Sequence, residues 1–436
     1  MNTAVILQLA LRSAWSRRLS LGLTLSAVVL AAILLAGVER VRSGARTGFE
    51  TAVAGTDLVV GARGAQLPLV LQSFLHLGGP LPALSWPAAE SLARHPAVAW
   101  SVPLSFGDQH RGFPVVATSQ AFFQHIRLAD GKPLAWRGGR RFDSVFEAVI
   151  GADVARRLGY ALGQTLVLSH GSHVDHDEHD DYDHAEAGPG PAAEHADKPF
   201  QVVGILAPTG TPLDRGVLIS LESMEAIHLD WQGGMPVPGV HIAADQVQKF
   251  PLVPDGVSAV LVGLKQRNTV LAAQRAFNEM PGEPLTAAIP AVVLEELWQA
   301  LSLGERALQA LAALVALVSM AGLAAVILAG MAERRRELAI LRSLGVRPSQ
   351  LVCLLALEGG LIGLLGGLIG LAAVQIVLAL AGGWLQSLTG LDLASTLPGK
   401  RDAVWLLAML LTSTLASLLP AWQAYRWSLA DGLSPR

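Results

Sequence analysis

The chain has 436 residues, of which 52% are hydrophobic and only 15% charged, and its formal net charge is -3. A mean hydropathy of +0.44 is unlike that of ordinary soluble proteins and calls for membrane segments, while so small a net charge gives no basis for nucleic-acid binding. Cys353 is the single cysteine, which excludes an intrachain disulfide.

Residues 1–18 mix apolar positions (Val5, Ile6, Leu7, Leu9, Leu11, Trp15) with Arg12, Arg17 and Arg18, the pattern of an interfacial helix on the cytoplasmic face. Residues 19–38 carry no charge and are long enough to span a bilayer. This run exceeds the apolar core of a signal peptide and no convincing cleavage site follows, so it reads as a retained first membrane helix. Its flanks leave it unoriented, because Arg40, Arg42 and Arg46 after it balance the three arginines before it.

No further uninterrupted run of spanning length occurs within residues 39–305. Short β-type runs appear instead at 57–60, 113–117, 165–168, 200–206 and 216–219. Helical patterns at 87–94, 152–158 and 269–280 lie between them. The mixture predicts a large α+β domain with its own core.

One tract in that domain stands apart: residues 170–195, HGSHVDHDEHDDYDHAEAGPGPAAEH. His170, His173, His176 and His179 recur every three residues, and His184 and His195 follow among many carboxylates. Imidazoles with neighbouring carboxylates suit Zn2+, and the lack of Cys and Met in the tract turns it away from Cu(I). The same composition buries no core, so a solvated acidic loop whose histidines titrate near their ordinary pKa is the competing reading. Between two strand candidates, the tract is expected as a loop or hairpin insertion. A catalytic metal is not expected there. His76, His95, His110, His125, His228 and His241 read as surface or satisfied polar groups, and Asp108-Gln109-His110-Arg111 is a polar cluster without inferable geometry.

The second spanning run is placed at 306–331 and is free of charge from Ala307 to Met331. Residues 332–350 follow, containing ERRRELAILRSLGVR at 333–347, a basic segment of the kind retained on the cytoplasmic side. With Leu338, Ile340 and Leu341 set among Arg334, Arg335 and Glu337, the segment reads as a short amphipathic helix. Its cytoplasmic placement puts the 39–305 domain outside and the N-terminus inside. A third run, 351–385, carries Gly359, Gly363 and Gly367 on one face, a spacing that lets another helix approach closely. A short outer loop at 386–402, a fourth run at 403–425 and a cytoplasmic tail at 426–436 complete the chain. No phosphate-cradling G-x-x-x-x-G-K-[ST], G-x-S-x-G or H-E-x-x-H occurs, which removes support for ATPase, hydrolase and zincin readings.

The wording of residues 333–345, together with Leu-Pro-Ala-Trp-Gln-Ala-Tyr-Arg at 419–426, resembles the coupling-loop signature and closing Pro-Ala-x-x-Ala-x-Arg of FtsX/MacB-type (type VII) ABC transporter permeases. The resemblance implies a membrane protein with four transmembrane helices (1+3) and a periplasmic core domain inserted between the first and second. It implies a homodimeric, non-catalytic subunit of the bacterial inner membrane, with both termini cytoplasmic, no covalent cofactor, and ATP used only by a separate ATPase. By carry-over, Glu333, Arg334, Arg335, Arg336 and Glu337 supply polar contacts to that ATPase, and Leu338, Leu341 and Leu344 seat the segment. The stretches 60–64 (VGARG) and 208–212 (PTGTP) resemble the subgroup associated with zinc acquisition, which implies a transition-metal cargo and a periplasmic metal-binding or lipoprotein partner. Two other readings stay open: a transducer that regulates a periplasmic hydrolase or lipoprotein machinery without moving metal, and a metal sensor or scaffold independent of an ATPase.

Overall fold

A computed structural model describes residues 18–128, 130–170, 193–232, 235–333, 348–389 and 399–426. The described parts fall into two compact units: Ala45–Ala300 with Trp384–Asp392, and Met1–Gly44 with Leu301–Gly383 and Leu393–Arg436. In chain order the elements begin α1 (Arg18–Ala52), β1 (Leu58–Ala62), α2 (Gln66–Leu75), β2 (Leu84–Ser85), α3 (Trp86–Ala93) and β3 (Val98–His110). They continue β4 (Phe113–Thr118), α4 (Ala121–His125), β5 (Trp136–Gly139), β6 (Glu147–Ile150), α5 (Ala152–Leu158), β7 (Thr165–Leu166) and β8 (Ser169–His170). Next come β9 (Ala193–Glu194), β10 (Phe200–Leu206), β11 (Val217–Ser220), α6 (Leu221–His228), β12 (Trp231–Gln232), β13 (Met235–Pro236) and β14 (Gly256–Val257). The last are β15 (Ala259–Leu264), α7 (Val270–Asn278), β16 (Leu285–Ala288), α8 (Pro290–Glu333), α9 (Pro348–Thr389) and α10 (Lys400–Arg426).

In the first unit twelve strands make one mixed sheet, ordered β16-β1-β15-β3-β4-β11-β6-β10-β5, with β7 on β10 and β8 pairing both β3 and β9. Strand side chains alternate between faces, and here both faces are buried. In β1, Leu58 and Val60 enter one core and Val59 the other; in β11, Val217 and Ile219 part from Leu218 in the same way. Helices α3, α5, α6 and α7 supply Leu92, Val154, Ile227 and Phe277 to the first core. Opposite them, α2, α4 and the start of α8 supply Phe74, Phe122 and Leu294 to the second. A sheet covered on both sides needs no polar alternation, so β1 and β11 read as unbroken apolar runs.

The α+β mixture expected from the sequence is present, and the strand candidates fall on β1, β4, β7, β10 and β11. The 13-residue β3 carries no such signal because Pro103 and Gly107 interrupt it. Its register against β4 slips between Phe106 and Gln109, a bulge of the kind that re-aims side chains near sites. Asp108 lies within that irregularity.

Three described helical stretches are long and apolar enough to cross a membrane: Gly22–Ala52, Pro290–Ala329 and Leu355–Gly382. Asp402–Leu418, within α10, is a shorter apolar stretch. Helices α1 and α8 outrun the charge-free runs read from sequence, α1 with the help of a Glu39–Arg42 ion pair at 3.1 Å, three residues apart on one helical face. Arg40 reaches Asp402 at 2.8 Å and Arg42 reaches Glu305 at 3.2 Å, so α1 is fastened to α10 and α8 by charge.

Helix α9 shows two glycine faces. A Cβ added at Gly359 would lie 2.5 Å from Ser417 Cβ, and one at Gly363 would lie 1.9 Å from Ser413 Oγ and 2.9 Å from the Met409 carbonyl. One at Gly367 would meet Leu406 at 2.9 Å, so all three glycines face α10. Gly366 and Gly370 face α1 instead, with Val28 at 2.6 Å and Ala32 at 2.4 Å from their added Cβ atoms. Small residues at such spacing let backbones close to contact. Gly363→Leu is therefore expected to destabilise the helical unit by about 1–3 kcal/mol through overpacking. Thermal unfolding of the purified chain in detergent reads this directly, and an unshifted midpoint would contradict the close approach.

Candidate metal centre

Four side chains from separate places converge beside the end of β3. Asp108 sits near the end of β3, His170 ends β8, His195 follows β9, and His228 ends α6. One ligand-capable atom from each lies within 4.8 Å of all the others.

Local structure fixes each of them. Antiparallel register places His170 directly opposite Asp108, and His170 Nδ1 bonds Asp108 Oδ1 at 2.8 Å. The His195 N–H donates to the Leu168 carbonyl at 2.9 Å. Helix α6 is capped by Ser220, whose Oγ accepts the Ser223 N–H, and it buries Met224 and Ile227 against the sheet. At its last residue, His228 Nδ1 lies 2.9 Å from the Met224 carbonyl. A carbonyl only accepts, so Nδ1 carries the proton and Nε2 presents a lone pair towards Asp108 Oδ2, 3.6 Å away.

The polar atoms that remain are conspicuous. Asp108 Oδ2, His228 Nε2 and both ring nitrogens of His195 are buried and have no hydrogen-bond partner among the described residues. Asp108 is 5% exposed and His195 is fully buried. Buried acceptors left unsatisfied cost of order 1–3 kcal/mol each, so the convergence of Asp108 Oδ2, His228 Nε2 and the acceptor nitrogen of His195 points to a cation as their partner. Burial pushes the His195 imidazole down to about 4 and lowers that of His228, which keeps both neutral and ligand-competent at neutral pH. His170 is raised, because its hydrogen bond to Asp108 favours the imidazolium against the effect of burial. Three imidazoles and a carboxylate are a donor set suited to Zn2+ in a four-coordinate site. Trp231 closes one side, its ring centroid 4.0 Å from that of His195.

A second group, Asp197, Asp230 and His241, lies on the same two stretches of chain. Here the chain supplies its own cation. Lys198 is fully buried, and its Nζ donates to Asp230 Oδ1 and lies 3.5 Å from Asp197 Oδ2. Asp230 Oδ2 accepts the Ile242 N–H at 3.0 Å. Burial alone would raise the Asp230 carboxyl, but the Lys198 and Ile242 hydrogen bonds outweigh it and hold the group below its ordinary range.

Of the residues read from sequence as metal ligands, the structure brings together His170 and His195. His173, His176, His179 and His184 lie outside the described residues, as do Arg334, Arg335, Arg336, Glu337, Leu338, Leu341 and Leu344. Glu333 is the last residue of α8. Asp108 was expected only as part of a polar cluster and His228 as a satisfied polar group; the orphaned Nε2 of His228 shows otherwise. Their one sequence signal was faint: Asp108 precedes His110 by two on a strand, and His228 precedes Asp230 by two after a helix.

Comparison with known proteins bears on the whole chain. A family model described as MacB-like periplasmic core domain matches residues 21–280, and one described as FtsX-like permease C-terminal matches residues 310–429. Among solved structures, the periplasmic region of MacB from Actinobacillus actinomycetemcomitans is similar at 10% identity and a TM-score of 0.31, covering 56% of this chain and 95% of that one. The extracellular domain of the noncanonic ABC-type transporter YknZ from Gram-positive bacteria is similar at 11% identity and a TM-score of 0.29, covering 53% of this chain and 98% of that one. A search of curated proteins finds no match. With the two family models together spanning most of its length, the chain belongs to the FtsX/MacB-like ABC transporter permeases.

Proposed function

We propose that this permease couples ATP hydrolysis by a separate cytoplasmic ATPase to motion of its external domain in the acquisition of a transition metal, with Zn2+ as the cargo. The observation that carries the metal reading is the convergence of unpartnered buried atoms from Asp108, His195 and His228 beside His170. Fixed imidazoles and a carboxylate give Zn2+ a preformed position, and the site has no thiolate or thioether for Cu(I). His173, His176, His179 and His184 follow His170 in sequence, and in this reading they gather the cation at low affinity.

The permease half of the reading rests on the family. In it, the chain crosses the inner membrane four times with both termini inside, works as a homodimer, and receives the ATPase on Glu333, Arg334, Arg335, Arg336 and Glu337, seated by Leu338, Leu341 and Leu344. Movement of that segment passes through the helices to the external domain without a solute channel. Gly359, Gly363 and Gly367, packed directly on α10, support such transmission.

Two measurements test the halves separately. Arg335→Glu with Arg336→Glu is expected to reduce co-purification of the ATPase on the order of tenfold, since it reverses two charges in a docking contact; unchanged recovery would reject the docking assignment. In cells lacking the gene and starved of zinc by a chelator, the native chain is expected to restore growth and Asp108→Ala is not. Equal restoration by both would favour a mechanical regulator that moves no metal.

A further inference from the structure

We propose that the metal centre is an exchangeable clasp between two segments of the external domain, residues 193–198 and 228–242, which Lys198 already joins at a fixed point. This rests on the reading of Asp108, His170, His195 and His228 as a metal centre.

The two clusters share the same pair of segments. His195 of the first segment meets His228 of the second in one cluster, while Asp197 of the first meets Asp230 and His241 of the second in the other. In the latter, the ammonium of Lys198 is covalently tethered, fully buried and bonded to Asp230, so that junction keeps its cation permanently. In the former, one ligand-capable atom each from Asp108, His170, His195 and His228 converges, and Asp108 Oδ2, His228 Nε2 and the His195 ring nitrogens have no hydrogen-bond partner among the described residues. Buried acceptors held against one another are costly without a cation, and a metal ion satisfies them. The closed arrangement is thus the metal-loaded one, and loss of the ion favours separation.

The elements around the centre differ in how far they can yield. The β3 strand runs through the middle of the sheet, and α6 is anchored by Met224 and Ile227 in the core. By contrast, β8, β9, β12 and β13 are two-residue strands, and β12 and β13 pair only with each other among the described residues. Short ladders with few buried contacts open at low cost. Removal of the ion frees the stretch after His228 to pivot about Lys198–Asp230 and parts Trp231 from His195. The external domain then presents a different face when loaded and when empty.

Hydrogen exchange on the full chain in lipid nanodiscs tests this, comparing stoichiometric ZnCl2 with EDTA. The reporters are the amides of His195, Val237 and Ile242, bonded to the Leu168 carbonyl, the Asp230 carbonyl and Asp230 Oδ2 respectively. Zn2+ is expected to slow their exchange on the order of tenfold or more in the native chain. His228→Ala and Asp108→Asn, which keep residues 171–192 and the Lys198–Asp230 pair, are expected to show no such response. Unchanged exchange in β11 and β15 verifies that both variants fold. His228-dependent Zn2+ binding without any slowing would overturn the clasp and leave the metal centre standing. Absence of His228-dependent binding would overturn both.

Discussion

Replacing His228 with alanine is expected to weaken the tightest Zn2+ binding by this chain on the order of 100-fold, the scale of losses when a metal site is disturbed. Isothermal titration at neutral pH measures it best in a background where His173, His176, His179 and His184 are replaced by serine, so that the tract contributes no heat. The expectation follows from tautomer and position. The Met224 carbonyl fixes the His228 proton on Nδ1, and α6 aims Nε2 at Asp108 with no competing donor among the described residues. Removing the ring deletes a donor atom and leaves Asp108 Oδ2 still buried. The four serine substitutions alone are expected to remove weak sites and spare the tight one. A parent and a His228→Ala variant with equal affinity would show that the cluster holds no metal.

The second large effect concerns Lys198. Asp230→Leu strands a fully buried ammonium with Asp197 as its nearest remaining carboxylate, at 3.5 Å. Removing one member of a buried ion pair typically costs about 3–5 kcal/mol. For a domain of this size that corresponds to a fall of about 10 °C in Tm. Asp230→Leu combined with Lys198→Met is expected to recover most of the loss, because the desolvation cost of both charges goes with them. Thermal unfolding of the three chains separates the cases. A double variant no better than the single one would mean that the Asp230 carboxylate works mainly through the Ile242 N–H, not through Lys198.

How far the sequence discloses these features depends on how local their causes are. The charge-free run at 19–38 lies within α1 because twenty uncharged, mostly apolar residues need nothing beyond themselves to form a helix in lipid. Hydropathy stops at Glu39, whereas the helix continues to Ala52, carried by side-chain pairs such as Arg46–Glu50 at 2.9 Å that a hydropathy profile does not count. Strand β3 escaped because Pro103 and Gly107 interrupt its pattern, and the bulge after Phe106 is set by the neighbouring strand. The candidate site shows the same division. His170 stood out as a member of a dense tract, but its partner Asp108 lies 62 positions earlier, and sheet register alone makes them neighbours. His228 comes from a helix whose place depends on β4 and β11. A histidine count finds the tract and misses half of the centre.

The bare contacts of α9 have a further consequence. Where Gly359, Gly363, Gly366 and Gly370 meet α10 and α1, only the short side chains of Ser417, Ser413, Val28 and Ala32 stand between the backbones. Such a joint has almost no backlash: a displacement of one helix reaches the next before any soft layer takes it up. The same property makes the joint brittle, because a single added methyl group has nowhere to go. Substitutions along this seam should therefore alter stiffness and survival together, leaving little room to tune one without the other.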